Sequence, residues 1–176
     1  MDAFEQVVAE ILWMQGYWVR TSVKVELTKE EKRRIGRPSS PRWELDVVAY
    51  QARDNVLKVV ECKSLLDSRG VGTAALDGYK LFNEQVLREV VFQRLRQQFH
   101  DSGACLPNPE IRLCLACGRI PSEADRGALH TRFSEAGWEL WDEHWLRDRL
   151  REMANRGYEN QVAAVVSKLL LRGMAV

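Results

Sequence analysis

The alternation of apolar and polar positions along the chain predicts a mixed succession of helices and strands. Apolar residues at positions 4, 7, 8, 11 and 12 follow one face of a helix, which Asp2 would cap and Gly16 would end. The pattern that follows predicts strands at 17–27, 43–50, 56–64, 111–120 and 138–141, and helices at 83–100, 122–137, 142–155 and 159–173. We expect the first strand to alternate between its two faces, and the segments 29–42 and 65–80 to be loops.

The order of these elements predicts an α/β fold. Three consecutive strands favour an antiparallel meander, and the later strands, separated by helices, favour crossovers that extend the sheet. The predicted architecture is a three-layer sandwich with a mixed central sheet of four to five strands flanked by helices. A chain of 176 residues is expected to form one domain over 1–176, with a core at 1–120 and a C-terminal helical extension at 121–176.

Composition narrows the class of protein. The chain is 45% hydrophobic and 29% charged, as is usual for a folded soluble protein, and we expect no membrane association because no apolar run approaches the length of a membrane span. The acidic start MDAFEQVVAE does not resemble a secretion signal, and four cysteines suit a reducing compartment, so we expect a cytoplasmic protein. A net charge of +1 means that any basic surface must be local.

The segment VVECKS (59–64) carries the candidate chemistry. In a strand, side chains at i and i+2 share a face, so Glu61 and Lys63 leave the sheet side by side. Asp46 lies on the preceding strand and comes near Glu61 if the hairpin register allows it. Two carboxylates held together repel each other, and Mg²⁺ would remove that cost because it binds carboxylate oxygens, with the backbone carbonyl of Cys62 as a further ligand. The alternative is a surface ion pair with no catalytic role.

This arrangement resembles the PD-(D/E)xK nuclease superfamily, with its closest likeness to the restriction-endonuclease-like and archaeal Holliday-junction-resolvase-like branches. The matching pieces are an opening helix FEQVVAEILWMQGYWVR, then ELDVVAY, then VVECKS, with fourteen residues between Asp46 and ECK. Leu45 stands where the name of the motif has Pro. The resemblance implies a restriction-endonuclease-like fold and hydrolysis of DNA phosphodiesters. Asp46, Glu61 and the Cys62 carbonyl would hold Mg²⁺ or Mn²⁺, and Lys63 would assist the attacking water.

The resemblance also implies a further glutamate on the first helix. In the resolvase branch it lies about eleven residues before the terminal glycine, which corresponds to Glu5 here. Helix geometry favours the same residue, because Glu5 flanks the apolar face and Glu10 points away from it. We therefore expect Glu5 at the site and Glu10 at the surface.

The segment 29–42, KEEKRRIGRPSSPR, is the local basic surface. It leads directly into the strand that carries Asp46, so its cations would lie beside the catalytic cleft and contact DNA phosphates rather than bases. The composition predicts a flexible loop, and a merely solvated loop is the alternative. The DNA-binding candidates are Lys32, Arg33, Arg34, Arg37 and Arg42.

Two other groups of residues are expected to be structural. Cys114 and Cys117 lie on opposite faces of a predicted strand, so they are poorly placed to share a zinc ion. Trp138, Trp141 and Trp145 are expected in the core or at a dimer contact.

The sequence thus predicts a metal-dependent DNA endonuclease, structure-dependent in its cutting, and cutting two strands would favour a homodimer. Four-way junctions, flaps, specific duplex sequences, modified bases and RNA all stay open as substrates. The alternative function is a non-catalytic DNA-binding or assembly module that keeps the nuclease fold.

Overall fold

The computed structural model describes residues 2–39, 42–157 and 159–172. Within these residues the helices are α1 Ala3–Met14, α2 Lys29–Arg34, α3 Thr73–Leu76, α4 Lys80–Asn83, α5 Gln85–Asp101, α6 Glu123–Ala136, α7 Glu143–Asn155 and α8 Val162–Leu171. The strands are β1 Trp18–Val25, β2 Trp43–Gln51, β3 Val56–Lys63, β4 Glu110–Cys117 and β5 Glu139–Trp141. Over the described residues, no helix is both long and apolar enough to cross a membrane.

The five strands form one mixed sheet in the order β1-β2-β3-β4-β5. The first three are antiparallel, and β4 and β5 run parallel to β3. Helices α3 to α6 cover one face of the sheet and bury the larger core cluster, while α1, α7 and α8 cover the other face. The predicted α/β three-layer sandwich with a mixed sheet is confirmed.

Local sequence signals explain several element boundaries. The carboxylate of Asp2 accepts the backbone N–H of Glu5 at the start of α1, and Asp142 accepts two backbone N–H groups at the start of α7, as predicted. Gly137 ends α6 in the left-handed conformation, with φ of +68°, which glycine adopts without strain. These caps confirm the sequence-based start or end of three helices.

The two predicted loops contain helices. Segment 29–42 begins with α2, whose N-cap Thr28 and third residue Glu31 form a reciprocal capping box. The prediction of a flexible loop is therefore wrong for 29–34. Segment 65–80 holds the one-turn helix α3 and the first residue of α4.

The strands β1 and β2 both change face at one position. Their pairing skips Ser22 and Asp46, and Ser22 has φ of +51°, a conformation uncommon outside glycine. On β2, Leu45 packs into the cluster under α5, whereas Val47, two residues later, packs under α1. Strict alternation along β1 is therefore wrong, because the backbone reverses its faces midway.

The expectation that Glu10 lies at the surface is also wrong. Its carboxylate is buried on α1 and accepts the backbone N–H of Ala163, in the first turn of α8, at 2.7 Å, and the side-chain amide of Gln6 at 2.9 Å. These hydrogen bonds offset the cost of burying the group. Glu10 thus attaches α8 to the body of the domain.

Candidate active site

Asp46, Glu61 and Lys63 converge at the open end of the β2–β3 hairpin. The ammonium of Lys63 lies 2.6 Å from Glu61 Oε1 and 3.9 Å from Asp46 Oδ2. The three side chains are between 22% and 28% exposed, so they line a partly buried site rather than open surface. The structure therefore brings together the three residues that the sequence pattern joined.

The position of Asp46 follows from the end of the β2–β3 ladder. The pairing runs from Gln51–Val56 to Val47–Val60. Asp46 precedes Val47, so it lies just beyond the last pair. There the carboxylate Oδ2 of Asp46 replaces a backbone partner and accepts the N–H of Cys62 at 2.8 Å. A residue in an antiparallel ladder directs its N–H and C=O to the same neighbouring strand, so the Cys62 carbonyl also faces the side of Asp46.

The end of β3 is fixed from its other side by β4. Gly118 donates its N–H to the carbonyl of Lys63 at 3.0 Å. A Cβ atom at Gly118 would lie 2.2 Å from the carbonyl oxygen of Ser64, so only glycine permits this approach. The backbone that carries Glu61 and Lys63 is therefore held between β2 and β4.

Tyr79 is a site residue that the sequence analysis missed. The ammonium of Lys63 lies 5.4 Å from the centre of the Tyr79 ring, within the range of a cation–π contact. Tyr79 precedes α4 in a segment predicted as a loop, and it belongs to no motif. Its spacing of sixteen residues from Lys63 carries no signal, so only the folded segment reveals the contact.

The charges of the site favour a protonated lysine. Burial lowers the pKa of Lys63, but the attraction and hydrogen bond of Glu61, together with the charge of Asp46, outweigh burial and raise it. Burial raises the pKa of Glu61, and the charges of Asp46 and Glu5 raise it further, against the opposing effect of Lys63. The ionised form of Glu61 is thus unfavourable in the folded protein, and a second cation beside it would stabilise it.

Glu5 lies in the first turn of α1, on the opposite side of the sheet from α5. Its charge contributes to raising the pKa of both Glu61 and Cys62, after burial and the charge of Asp46. The charge of Glu5 therefore acts on the Asp46–Glu61 pair, and its role as a supporting carboxylate stays a prediction.

The donor set suits a hard divalent cation. The carboxylates of Asp46 and Glu61 and the Cys62 carbonyl supply oxygen, which Mg²⁺ and Mn²⁺ prefer. The thiol of Cys62 is buried among the side chains under α1, and burial raises its pKa, so it is not a suitable ligand. Across the described parts of the chain, no three His, Cys, Asp or Glu side chains form a group that could hold a metal ion. A metal here would therefore rest on two carboxylates and backbone oxygen.

The described part of the basic segment packs against the start of α5 and the beginning of β2, and its charge is partly neutralised. Arg37 donates two hydrogen bonds to Glu84, at 2.7 and 2.8 Å, and stacks over Trp43, the first residue of β2. Arg34 pairs with Glu89 at 4.0 Å, and Arg42 pairs with Glu26 at 3.3 Å. Within 2–39, 42–157 and 159–172, Lys32 and Arg33 have no ion pair.

Two further polar clusters are structural. Lys58 is a buried residue of β3, and its ammonium contacts both carboxylate oxygens of Glu139 at 2.6 Å. Arg126 bridges Asp142 and Glu143 at 2.5 and 2.6 Å and thereby joins α6 to the start of α7. Because their charges are compensated internally, neither cluster offers the reactive groups of a second site.

The cysteines and tryptophans occupy the structural positions predicted for them. Cys114 and Cys117 pack on opposite faces of β4 and are buried, so they do not share a metal ion. Burial, with the charges of Asp142 and Glu143, raises the pKa of the Cys117 thiol to about 12. Trp141 is buried and stacks on Trp145 with 4.6 Å between ring centres.

Comparisons with protein-family models, with curated proteins and with solved structures give no match to this chain. The likeness to nucleases therefore rests on the residues described above.

The raised pKa of Glu61 generates a test of the site in the absence of metal. A carboxylic acid whose pKa is higher in the folded state contributes stability at low pH and loses it as pH rises through that pKa. Below its ordinary value of 4.5 the group is protonated in both states. Glu61→Gln should therefore be more stable than the parent protein at pH 7, and the difference should vanish as pH falls below 4.5. Urea unfolding from pH 4 to 8 in chelator measures this.

Glu44→Gln is the matched control, because Glu44 is an exposed carboxylate on the same hairpin. It should leave the stability curve unchanged. A loss of stability at pH 7 in Glu61→Gln would show instead that the contact with Lys63 stabilises the fold, as in a purely structural ion pair.

Proposed function

We propose that this chain is a metal-dependent nuclease that hydrolyses phosphodiester bonds in DNA. The observation that carries the proposal is the convergence of Asp46, Glu61 and Lys63 where β2 and β3 separate. Two carboxylates and an ammonium in one partly buried group combine oxygen ligands for a cation with a donor for a phosphate oxygen. The supporting carboxylate of Glu5 is the fourth member expected from the resemblance.

The chain would hold Mg²⁺ or Mn²⁺ through the carboxylates of Asp46 and Glu61 and the carbonyl of Cys62. When bound, such an ion supplies positive charge that stabilises negative charge developing on the phosphate and activates a nucleophilic water. Asp46 is oriented for this role by the Cys62 N–H, which holds one of its oxygens and leaves the other available. Gly118 keeps the ligand-bearing end of β3 in place.

The contribution of Lys63 follows from its charge. Because Glu61 and Asp46 raise its pKa, Lys63 carries a proton at neutral pH and acts as a positive hydrogen-bond donor rather than as a base. It can orient the attacking water or stabilise a phosphate oxygen. The ring of Tyr79 limits the positions open to the ammonium, and so helps to aim it.

DNA would approach along the basic segment. Lys32 and Arg33, like Lys29 at the start of α2, have no acidic partner in the described residues, so they bind phosphate at the smallest cost. Arg34, Arg37 and Arg42 would have to exchange an existing carboxylate for a phosphate. We also propose that the protein is cytoplasmic. Its DNA substrate would be a junction, a flap or a duplex.

One observation favours the alternative of a non-catalytic DNA-binding or assembly module. The ammonium of Lys63 already lies against Glu61, 2.6 Å from its Oε1 atom. In that case the ion pair would only hold the end of the hairpin. Metal-dependent cleavage distinguishes the two functions.

The proposal predicts metal-dependent cleavage that depends on single charges. The full chain, with Mg²⁺ or Mn²⁺, should cut at least one member of a panel of duplex, junction, flap and single-stranded DNA. Asp46→Ala should remove a metal ligand and Lys63→Ala a positive donor, and each should lower the cleavage rate by about 10²-fold or more. Rates are measured on end-labelled substrates.

Lys24→Ala is the control, since Lys24 is an exposed lysine on β1, and it should cut as the parent protein does. An absence of cleavage with either metal would favour the non-catalytic module. Full activity in Lys63→Ala would show that the cleavage does not come from the proposed site.

A second prediction concerns the basic segment. Replacing Lys32 and Arg33 with Ala should weaken binding to all DNA sequences about equally. It should also reduce the dependence of log affinity on log salt by about two, if each contacts one phosphate. Arg37→Ala should mainly lower stability, because it breaks the contacts with Glu84 and Trp43. Fluorescence anisotropy over a salt series and urea unfolding measure these effects.

Arg147→Ala, an exposed arginine of α7 on the opposite helical layer, is the control and should leave the salt dependence unchanged. An unchanged salt dependence in the Lys32 and Arg33 variant would mean that DNA approaches another face.

A further inference from the structure

The last helix, α8, packs on the domain in an unusual orientation. Its small residues Ala163, Ala164 and Ser167 are buried against α1 and α7. Its large apolar residues face outward, and we call them the outer face of α8: Val162, Val165, Val166, Leu169 and Leu170. Leu169 is 80% exposed. A helix that is apolar on all sides is normally buried, so this face is expected to be covered by another surface.

Two exposed indoles lie near the start of α8. Trp13 of α1 and Gln161, the N-cap of α8, line one cleft of about 280 Å³ together with the polar residues Gln6, Glu10 and Thr21. Trp13 and Trp18 line the neighbouring cavity of about 570 Å³, and both indoles are more than half exposed. The two indoles therefore lie at the border of α8, across a partly polar cleft.

The exposed apolar area of the outer face of α8 and the two indoles is close to what one partner contributes to a protein interface. A fully exposed Val or Leu side chain presents about 60–120 Å² and an indole about 150–250 Å², so the outer face of α8 and the two indoles expose roughly 500 Å² of apolar surface. A standard interface buries about 800 Å² on each partner, of which somewhat more than half, about 450 Å², is apolar. No extra apolar surface is needed for a stable contact.

The low charge of α8 itself favours a second copy of the same chain. A two-fold contact brings a patch against itself, so like charges in it would repel. Lys168 is the one charged residue within α8, and its ammonium donates to the carbonyl of Gly157. A membrane surface fits less well, because helices that lie on membranes carry several cations on their polar side.

We propose that the outer face of α8 is a homodimer interface, in which α8 packs against α8 of a second copy around a two-fold axis with Trp13 and Trp18 at its border. The outer residues recur at steps of three and four, which is the spacing of a stripe that packs along the whole length of a neighbouring helix. The inference does not depend on the proposed nuclease function.

Light scattering after size exclusion, together with sedimentation equilibrium, tests this on the full chain from about 1 to 100 μM. The protein should have twice its chain mass of 20.3 kDa at the higher concentrations. Leu169→Glu would place a carboxylate in the contact and should raise the dimer dissociation constant at least tenfold. Val86→Glu makes a similar change at an exposed apolar residue of α5, on the other layer, and should leave the dimer intact.

Both variants should retain the far-UV circular dichroism and melting behaviour of a folded domain, because the altered side chains are exposed. A loss of the dimer in Leu169→Glu is then not the result of misfolding. A parent protein that is monomeric up to 100 μM, whether or not it binds lipid vesicles, would overturn the inference, as would a dimer unaffected by Leu169→Glu.

Discussion

The ammonium of Lys63 lies between the carboxylates of Glu61 and Asp46, and the local structure is arranged around this contact. Two partly buried carboxylates so close together repel each other, and burial adds the cost of lost hydration. Lys63 compensates part of that cost, yet the pKa of Glu61 stays raised through burial and through Asp46 and Glu5. Ionised Glu61 therefore remains unfavourable in the folded protein, as is expected of a site that binds a cation.

Two features of the backbone bring these charges together. The β2–β3 pairing ends at Val47–Val60, and strands β1 and β2 exchange their two faces just beyond that pair. The switch of faces at Ser22 and Asp46 occurs one residue beyond the last β2–β3 pair, so the Asp46 side chain is free to accept the Cys62 N–H. A positive φ at Ser22 is an unfavourable conformation that the rest of the sheet has to sustain. The strained backbone at Ser22 and the crowded charges of the site thus occur at the same level of the sheet, as is common at functional sites.

Features that depend on the spacing of neighbouring residues could be predicted from the sequence. Contacts between residues far apart in the chain could not. Period two along β3 placed Glu61 beside Lys63, and the length of the hairpin brought Asp46 opposite them. The burial of Glu10 could not be predicted, because its partner Ala163 is 153 positions away along the chain. The contact of Tyr79 with Lys63 likewise depends on the folding of a glycine-rich segment. The capping box of α2 was visible in the sequence, but the basic composition around it predicted a loop.

Crystals grown without metal and then soaked in Mn²⁺ would test the central claim most directly. The account predicts an anomalous difference peak bonded to the carboxylates of Asp46 and Glu61 and to the Cys62 carbonyl, at about 2.2 Å, with Lys63 moved out of contact with Glu61. A site that stays without a peak at saturating Mn²⁺, with Lys63 still against Glu61, would contradict it and identify the contact as a structural ion pair.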